Sequence, residues 1–540
     1  MMGSSEQQNE PAVNPLALAE QLIHRLTITA VHLAIGLAIG LVLARTMRRH
    51  HLRWTWAGGA LMLVVLARRI LGADALVAGT ASLCAAVLSW RWHSEDLDTG
   101  ADMADLATAR LGPLDVARLL ARGLKARRSL SSANSWWKGG RLTVGHERNA
   151  RAVTIPLGSA TGGTHTLVVG ATRSGKTVTM TWMVGNAIES GMGAIVIDPK
   201  GDRDLRGHLR DAAAAGKRQF IEWSPRGSTV YNPYARGSET EIADKALAGE
   251  RFTEPHYLRQ AQRYLGHEVR VLRRAGTEVD LRALVEYLQP QRLEMLARSL
   301  PEAEVRGVHA YMDSLTPRQQ SDLAGVRDRL AIMSESDIGP WLDSRTPSAN
   351  RLDLLESTRA RAVVYFNLQA DSRPLLAQML GAAIIGDLQT VIAGLQGRPE
   401  PTIVAIDEFS AIAPERVVGL FARAGGAGVS LVLGTQELAD MRIPGREMLL
   451  EQVVGNLSVL IAHRQVVPGS ARLIAEMTET TGVWKTSRND DRKITRTRAL
   501  DHSLRAGEVM SLSQGCAAVI ALSDGGRVSV ARMLSVASAG

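Results

Sequence analysis

The sequence predicts an α/β protein with an all-α insertion and an N-terminal transmembrane helical anchor. Three observations support this fold class. From residue 151 onward, short apolar runs rich in Val and Ile alternate with helical segments, the pattern of a parallel sheet covered by helices. Residues 235–350 interrupt it with segments rich in Arg, Leu, Ala and Glu. Apolar runs fill most of residues 26–92, and the first of them carries no charge.

These changes of character predict six segments along the chain. They are an N-terminal tail at 1–25, a transmembrane anchor of two or three helices at 26–92, a juxtamembrane linker at 93–150, the first part of the α/β domain at 151–234, the all-α insertion at 235–350 and the second part of the α/β domain at 351–540.

The composition indicates a globular protein with an anionic partner but does not show which partner it is. The 540 residues are 45% hydrophobic and 22% charged, which indicates a globular rather than a disordered chain. The net charge of +9 suits an anionic partner, either nucleic acid or an acidic membrane surface. Cys84 and Cys516 are isolated in sequence, so they predict neither a disulfide framework nor a metal site.

Three apolar runs make up the predicted anchor: Leu26–Ala44, Trp54–Ala67 and Ile70–Trp90. The first is long enough to span a bilayer, while the second is short. Gly36 and Gly40 have the GxxxG spacing that lets two membrane helices pack closely. The alternative is that these runs are core helices of a soluble domain, but they carry no amphipathic stripe.

The basic segment Arg45–Arg53 predicts the topology of the anchor. Positive loops stay in the cytoplasm, so the N-terminus is expected outside, and three spans return the chain to the cytoplasm after Trp92. Two spans would place the basic segment outside, against this rule. Glu6, Glu10 and Glu20 precede the first span, and the tail has no basic start, so we do not interpret it as a signal peptide.

A phosphate-binding loop is the most specific motif of the chain. A short apolar strand, Thr166–Val169, precedes it, and a helix is predicted over Lys176–Glu189. This arrangement directs backbone N–H groups and the positive end of a helix dipole at a phosphate. The loop matches G-x-x-x-x-G-K-[ST] and consists of Gly170, Ala171, Thr172, Arg173, Ser174, Gly175, Lys176 and Thr177.

The motif predicts ATP and Mg²⁺ as cofactors. Lys176 is expected to reach the β- and γ-phosphates, and Thr177 to place its hydroxyl on Mg²⁺. The strand Thr402–Ile406 ends in Asp407 and Glu408, a Walker B pattern. Asp407 is predicted to hold Mg²⁺ through water, and Glu408 to orient and polarise the attacking water. A chance match to either motif alone becomes improbable when both occur in one chain.

Further apolar strands end in polar residues. The strand Gly193–Ile197 leads to the charged segment Asp198–Asp202, and Val429–Leu433 leads to Gln436, which we expect to sense the γ-phosphate. Strands are also predicted at Ala362–Phe366 and Ser458–Ala462. Parallel buried strands with polar residues at their carboxyl ends predict a RecA-like doubly wound sheet, which makes the α/β domain a P-loop NTPase core and nucleotide-binding domain.

The insertion is predicted to contain long helices, including Pro255–Arg274 and Leu281–Ser299. Two interpretations of its arginines stay open: contacts to a nucleic-acid phosphate backbone, or a solvated helix face. The arginines in question are Arg259, Arg263, Arg270, Arg273 and Arg274.

Four segments together resemble one family. GATRSGKT at 170–177, IVIDPKGD at 195–202, IVAIDEFSAI at 403–412 and GVSLVLGTQELAD at 428–440, with the all-α insertion between the second and third, are similar in order and spacing to the TraG/TraD-type coupling proteins of conjugative type IV secretion. These proteins belong to the FtsK–HerA translocase group. The resemblance covers residues 151–540.

The resemblance implies a DNA-dependent ATPase that is anchored in the bacterial inner membrane, with its ATPase domain in the cytoplasm, and that assembles as a homo-hexamer. It implies recruitment of a relaxase with single-stranded DNA and contact with components of the secretion channel. Gln436 would couple nucleotide state to the strand tip. The family places a trans-acting arginine near Gly425, and Arg423 is the nearest candidate. Alternatives are an FtsK-like translocase of double-stranded DNA and a nucleotide-binding substrate receptor without motor activity.

Overall fold

The structure, a computed structural model, describes residues 15–49, 74–98, 136–148, 151–158, 163–248, 254–347, 350–412, 414–442, 447–488 and 494–536. The chain divides into two compact units. The first comprises residues 1–126 and 480–501, and the second comprises residues 127–479 and 502–540.

Two helices of the first unit, α1 (Pro15–Arg49) and α2 (Asp74–Asp98), pack against each other through small residues. A Cβ atom at Gly36 would lie 1.8 Å from Thr80 Oγ1, and one at Gly40 would lie 2.6 Å from the Cβ of Cys84. The helices can therefore approach this closely only because both positions are glycine, which is the use of a GxxxG face.

The first predicted span lies inside a longer helix than expected. Within α1, Leu22–Met47 is long and apolar enough to cross a membrane. The prediction that a charged loop begins at Arg45 was wrong, because the helix continues to Arg49, and arginine favours helical backbone. The predicted run Trp54–Ala67 lies outside the described residues. In α2 the apolar segment is the shorter Val77–Ser89.

The second unit contains the large sheet. The strands of the described chain are β1 (Trp137–Lys138), β2 (Arg141–Glu147), β3 (Ala152–Pro156), β4 (Thr166–Val169), β5 (Gly193–Asp198), β6 (Phe220–Trp223), β7 (Thr229–Tyr231), β8 (Asn350–Leu352), β9 (Val363–Asn367), β10 (Thr402–Ile406), β11 (Val429–Thr435), β12 (Val459–Ala462), β13 (Thr480–Arg488), β14 (Ile494–His502), β15 (Cys516–Ala521) and β16 (Arg527–Met533).

The helices that follow α2 lie between these strands, with α5 to α10 in one uninterrupted series. They are α3 (Lys176–Glu189), α4 (Arg203–Ala215), α5 (Glu239–Ala246), α6 (Pro255–Arg274), α7 (Leu281–Tyr287), α8 (Pro290–Ala297), α9 (Glu302–Asp313), α10 (Pro317–Ser334), α11 (Leu354–Arg359), α12 (Pro374–Gly394), α13 (Phe409–Ile412), α14 (Pro414–Ala424), α15 (Leu449–Val454), α16 (Pro468–Glu476) and α17 (Ala506–Met510).

Parallel strands form the centre of the sheet in the order β12–β4–β11–β10–β5–β9–β6. All residues of β5, β10 and β11 are buried, because apolar clusters cover both faces. Successive residues of β11 show this: Leu431 packs into one cluster and Val432 into the other. The predicted doubly wound sheet is confirmed.

An antiparallel extension continues the sheet beyond β12 and was not predicted. There β15 pairs with β12, β16 with β15, and β2 with β16. The strand β3 then pairs with β2. The C-terminal strands are therefore part of the sheet that carries the phosphate-binding loop.

The chain leaves the α/β domain after β7, forms the helices α5 to α10, and returns to the domain at β8. Thr229 to Tyr231 of β7 pair in parallel with Asn350 to Leu352 of β8. The prediction of one helix over Leu281–Ser299 was wrong, because α7 ends at Tyr287 and α8 begins at Pro290. Proline has no N–H to continue the helix and restricts the residue before it.

Four of the five insertion arginines take part in contacts within the domain. Arg270 pairs with Glu239 at 2.6 Å and Arg274 with Glu304 at 3.9 Å, Arg273 donates to the carbonyl of Gly237 at 2.6 Å, and Arg263 lies over the Tyr311 ring at 4.8 Å. Arg259 is exposed. A solvated helix face, held by local pairs, thus describes most of this set.

The helix α12 is as apolar as a membrane span but belongs to the core. It is long enough to cross a bilayer, yet 72% of its apolar segment is buried among the other elements of the second unit. Gly381 contacts Ile412 closely, since a Cβ atom there would lie 2.1 Å from Ile412 Cγ2. A buried helix of this kind is hydrophobic on every side.

Candidate functional site

The phosphate-binding loop joins β4 to α3 at the carboxyl edge of the parallel strands. The end of β11 and the segment after β12 hold its start, because Gly170 N donates to the carbonyl of Thr435 at 3.2 Å and Ala171 N to that of Arg464 at 3.0 Å. Gly175 has φ +113°, a conformation that side chains strongly disfavour. A Cβ atom at Gly170 would lie 2.4 Å from Ser174 Oγ.

The residues of the loop fit a phosphate group. The Ser174 hydroxyl is buried, and its Oγ has no hydrogen-bond partner within the described part of the chain. A buried donor of this kind is expected to have a partner in the functional state. The first turn of α3 adds free backbone N–H groups and the half-buried Thr177 hydroxyl.

Lys176 lies between the two Walker B carboxylates. Its Nζ forms an ion pair with Asp407 and lies 3.0 Å from Glu408 Oε1. Lys176, Asp407 and Glu408 are all less than 9% exposed. In such a low-dielectric setting each charge needs its partners, so the three side chains are held in place as a group.

Two further groups hold Glu408. Lys200 Nζ lies 3.0 Å from Glu408 Oε1, and Gln436 Nε2 donates to the same oxygen at 3.3 Å. Glu408 itself has φ +46°, in the left-handed region. Strained backbone of this kind persists only where surrounding contacts fix it, and such positions cluster at active sites.

The charges around Glu408 keep it ionised. Burial alone would raise its pKa, but Lys176 and Lys200 outweigh burial and lower it. Burial alone would lower the pKa of Lys200, but the hydrogen bond to Glu408 and the charges of Glu408, Asp407 and Asp371 raise it. The cluster thus consists of a carboxylate held between ammonium groups.

The segment after β5 is fixed by Asp198. Its Oδ1 accepts from the backbone N–H groups of Lys200 at 2.9 Å and Gly201 at 3.0 Å, and its Oδ2 accepts from Asp202 N at 2.7 Å. The Tyr365 hydroxyl donates to Oδ2 at 2.7 Å. The tight turn that presents Lys200 is therefore built on a buried carboxylate with four donors.

The tip of β11 lies directly beside the Walker B strand. A Cβ atom at Gly434 would lie 2.6 Å from Asp407 Oδ1, so glycine is required for Asp407 to occupy its position. The Thr435 hydroxyl contacts Ser410 Oγ at 3.0 Å and Asp440 Oδ2 at 3.2 Å. A movement of this tip would therefore displace Glu408 through its contact with Gln436. It would also displace α13, which follows Glu408, through the contact of Thr435 with Ser410.

His463 and the antiparallel extension contact the phosphate-binding loop and the helix α3. Thr179 Oγ1 lies 3.0 Å from His463 Nε2, and Gly515 N donates to the Ser174 carbonyl at 3.0 Å. Burial lowers the pKa of His463 to about 4, so the ring is neutral near neutral pH.

Arg423 does not lie at this edge of the sheet. It lies in the last turn of α14, which returns to the amino edge, where Gly163 N donates to the Gly425 carbonyl at 3.2 Å. There Arg423 lines a cavity of about 400 Å³ with Arg416 and Glu241. Its predicted action on a neighbouring subunit stays a prediction.

The structure thus brings Lys176, Asp407, Glu408 and Gln436 together with the whole loop and leaves Arg423 apart. Sequence reasoning missed Lys200 and His463 as members of the site. Lys200 stands in the charged segment that follows a buried strand, and this position was the available signal. His463 carried no signal of its own, since it follows a strand like many core residues.

A larger cavity, of about 980 Å³, lies between helices of the insertion. Its charged residues pair with one another: Arg282 with Asp343 at 3.2 Å, Arg292 with Glu286 at 2.8 Å and Arg327 with Asp328 at 2.9 Å. These three pairs account for six of the seven charged residues that line the cavity, and Glu335 is the seventh.

A glycine loop between β4 and α3, with a carboxylate pair directly after β10 and a glutamine directly after β11, defines a P-loop NTPase of the RecA-like type. Residues 109–258 match the family model described as type IV secretory system conjugative DNA transfer. This match confirms the resemblance to the TraG/TraD-type coupling proteins that the motifs indicate.

Solved structures of a coupling protein share the fold. The unbound monoclinic form of the bacterial conjugative coupling protein TrwBdeltaN70 has a TM-score of 0.54 at 15% identity, covering 76% of this chain and 91% of that one. The plasmid coupling protein TrwB in complex with ADP and Mg²⁺ has a TM-score of 0.51 at 15% identity, with 69% and 85% covered. TrwB with the GTP analogue GDPNP has a TM-score of 0.52 at 14% identity, with 74% and 94% covered. No curated protein sequence matches the chain.

Proposed function

We propose that this protein is a membrane-anchored, DNA-translocating ATPase that couples a relaxase–single-stranded DNA substrate to a type IV secretion channel during conjugation. One observation carries the enzymatic part: Lys176, Asp407, Glu408 and Gln436 converge at the carboxyl edge of a parallel sheet, beside a glycine loop. The family match over residues 109–258 supports the conjugative part.

The site is suited to phosphoryl transfer from ATP to water. When bound, Mg²⁺ neutralises charge that develops on the phosphates. Thr177 and Asp407 are the residues that would hold it, since their oxygens are hard ligands at the loop and the adjacent strand. Lys176 would bind the β- and γ-phosphates, and the loop N–H groups would orient them.

Glu408 would position and polarise the attacking water, because it is an ionised carboxylate one residue from the proposed magnesium ligand. Gln436 touches Glu408 and stands on the tip of β11. It is therefore suited to report the state of the site to the segment that follows. A receptor without motor activity would not need a positioned carboxylate here.

DNA dependence tests the motor directly. Phosphate release by the purified full chain in lipid nanodiscs should rise when single-stranded DNA of mixed sequence is added. The binding of single-stranded DNA should weaken steeply as the salt concentration rises, with a slope of about −0.7 in log K against log salt for each neutralised phosphate. The exposed Arg259 is one candidate for such a contact.

The outcomes separate the alternatives. Stimulation by double-stranded DNA alone would favour an FtsK-like translocase. Nucleotide binding without any phosphate release, with or without DNA, would favour the receptor. A chain that neither binds nor hydrolyses ATP would contradict the proposal as a whole.

The anchor is proposed to hold the ATPase at the cytoplasmic face of the bacterial inner membrane. The apolar helix Leu22–Met47 supports membrane insertion. Reporter fusions at Gln8 and at Ala150 should give opposite topology signals if three spans place the N-terminus outside. Equal signals at the two positions would favour two spans.

A ring of subunits, proposed as a homo-hexamer, would let Arg423 complete a neighbouring site. Arg423 is exposed and lies away from its own loop, as a trans-acting residue must. Arg423→Ala should reduce hydrolysis and leave nucleotide affinity unchanged. Mixing it with Lys176→Ala subunits should restore part of the activity.

If such mixtures stay inactive while wild-type rings hydrolyse ATP, Arg423 is not the trans residue. Arg464 then becomes the residue to test, because its carbonyl accepts from Ala171 N and its side chain is exposed beside the loop.

A further inference from the structure

We propose that Lys200 is a positioning residue for hydrolysis, which keeps the carboxylate of Glu408 in place while Lys176 serves the phosphates. This inference rests on the proposed ATPase function. It assigns a role to a residue of the IVIDPKGD segment that lies outside the phosphate-binding loop and the Walker B pair.

Two sets of partners compete for the ammonium group of Lys176. Its Nζ lies 3.0 Å from Glu408 Oε1 and also pairs with Asp407. In this motif the same ammonium is the ligand of the β- and γ-phosphates. A lysine that reaches forward to a phosphate has fewer N–H groups for Glu408, so another group must hold that side chain.

Lys200 is the second cation on the same oxygen. Its Nζ lies 3.0 Å from Glu408 Oε1, while the neutral Gln436 amide lies 3.3 Å from it. A charge-assisted hydrogen bond is about twice as strong as a neutral one. Lys200, whose side chain is 49% exposed, is therefore a charged partner of Glu408 that does not depend on Lys176.

The backbone of Lys200 is fixed, as a positioning residue requires. Asp198 accepts from the N–H groups of Lys200, Gly201 and Asp202 and from the Tyr365 hydroxyl. Gly201 has φ +73°, and a Cβ atom there would lie 2.3 Å from Asn367 Oδ1. The turn has little freedom to shift, so the lysine stem starts from a defined point.

The placement also links Glu408 to the return path of the insertion. Leu368 N donates to the Asp198 carbonyl at 3.0 Å and Ala370 N to the Pro199 carbonyl at 2.6 Å. Residues 368–370 follow β9, the first strand of the large sheet after the insertion. The Lys200 turn thus contacts the segment after β9 through its backbone and contacts Glu408 through the Lys200 side chain.

The test is steady-state ATP hydrolysis by the full chain with Lys200→Met, which keeps the stem and removes the charge. We expect kcat to fall by about 10- to 100-fold, since small misplacements of a catalytic group have effects of this size. KM and nucleotide affinity should stay within about twofold of wild type, because Lys200 touches Glu408 and not the loop.

Controls separate positioning from a general structural effect. Lys200→Arg should recover part of kcat, because it restores a donor cation. Lys217→Met removes the same charge from an exposed lysine of the same unit and should leave kcat unchanged. Lys200→Gln gives a second uncharged variant if Lys200→Met folds poorly.

A double variant tests whether Lys200 acts through Glu408. In a Glu408→Gln background, Lys200→Met should reduce turnover by less than about twofold, because the group that it positions has lost its charge. Equal fold-losses in both backgrounds would overturn the inference.

The two proposals fail in different ways. A wild-type chain without ATP hydrolysis overturns the proposed function and this inference with it. An active wild type with an equally active Lys200→Met overturns the inference alone. Loss of nucleotide affinity in the Lys200 variants, parallel to the loss of kcat, also overturns it, because it shows a structural role.

Discussion

Two buried lysine–carboxylate pairs in this chain look alike but differ in what surrounds them. At the base of the insertion, Lys245 Nζ contacts Asp387 Oδ1 at 2.8 Å, the Pro233 carbonyl at 3.1 Å and the Arg236 carbonyl at 2.6 Å. The Tyr231 hydroxyl donates to Asp387 Oδ2 at 2.8 Å. All three donors of this ammonium have acceptors within the fold.

At the carboxyl edge of the sheet, the lysine has fewer acceptors than Lys245 has. Lys176 contacts only the carboxylates of Asp407 and Glu408 in the described chain, and Glu408 Oε1 takes three donors. The nearby Ser174 hydroxyl has no partner in the same part of the structure. This cluster holds charges that can be redistributed, whereas the Lys245 network is complete.

Burial of an ion pair therefore does not by itself indicate function. Both pairs are less than 9% exposed. What distinguishes the functional candidate is the combination of a glycine loop, a donor without a partner and a carboxylate on strained backbone. The Lys245 pair instead joins α5 to α12 and fixes the insertion to the core.

The largest effect is expected at the sheet edge. Lys176→Ala should abolish turnover, with a loss of about 10³-fold or more, and should weaken nucleotide binding, because the same side chain binds phosphate and is needed for charge neutralisation. Phosphate release and binding of a fluorescent ATP analogue measure the two effects. A variant that keeps normal affinity and normal turnover would remove the distinction between the two lysines.

The Lys245 pair should instead affect stability. Lys245→Met leaves Asp387 buried without its cation and should lower the free energy of unfolding by about 3–5 kcal/mol. Urea unfolding followed by tryptophan fluorescence measures it. Adding Asp387→Leu should restore much of the loss, and nucleotide affinity of the folded variants should match wild type.

A pH effect of similar size is expected from a buried histidine outside both pairs. Burial lowers the pKa of His165 to about 4 from 6.5. Below pH 6.5 the unfolded chain binds a proton that the folded chain rejects until about pH 4, so this stability is present at neutral pH and is lost as pH falls through that window. The full loss is about 3 kcal/mol.

The measurement compares wild type with His165→Gln, which keeps an acceptor for the Leu431 N–H group. Urea unfolding at several pH values should show a steeper acid loss for wild type than for the variant. Parallel curves would mean that His165 is not the group that titrates.

The smallest effect is expected for an exposed pair. Arg270 pairs with Glu239 at 2.6 Å, but its side chain is 54% exposed, so Arg270→Ala should change the free energy of unfolding by about 0.2–1 kcal/mol. The same urea titration measures it. A loss as large as that of Lys245→Met would contradict the view that burial sets the scale of these pairs.

Much of the fold could be predicted because its signals are local. The loop, its helix Lys176–Glu189 and the strand Thr402–Ile406 follow from apolar runs and glycine spacing within short windows, and the structure has the same bounds. The antiparallel extension could not be predicted in the same way. Its partners, such as β2 and β16, are far apart in sequence, and periodicity does not reveal which strands pair.

The residues of the candidate site also differ in how far they could be predicted from the sequence. Lys176, Asp407 and Glu408 were predictable because each belongs to a short contiguous motif. The contact of Lys200 with Glu408 joins residues that follow two different strands, β5 and β10, and the contact of His463 with Thr179 depends on where the end of β12 lies relative to α3. The single predicted helix over Leu281–Ser299 failed at Pro290, although the proline was visible in the sequence.

Glu408 is proposed to position water at a nucleotide site built on Lys176. Single-turnover hydrolysis and equilibrium ATP binding by wild type and Glu408→Gln test this role. Glu408→Gln should bind ATP within about twofold of wild type and hydrolyse it about 10²- to 10⁴-fold more slowly, the range for loss of a general base. Near-normal hydrolysis by Glu408→Gln would mean that Glu408 does not position the attacking water.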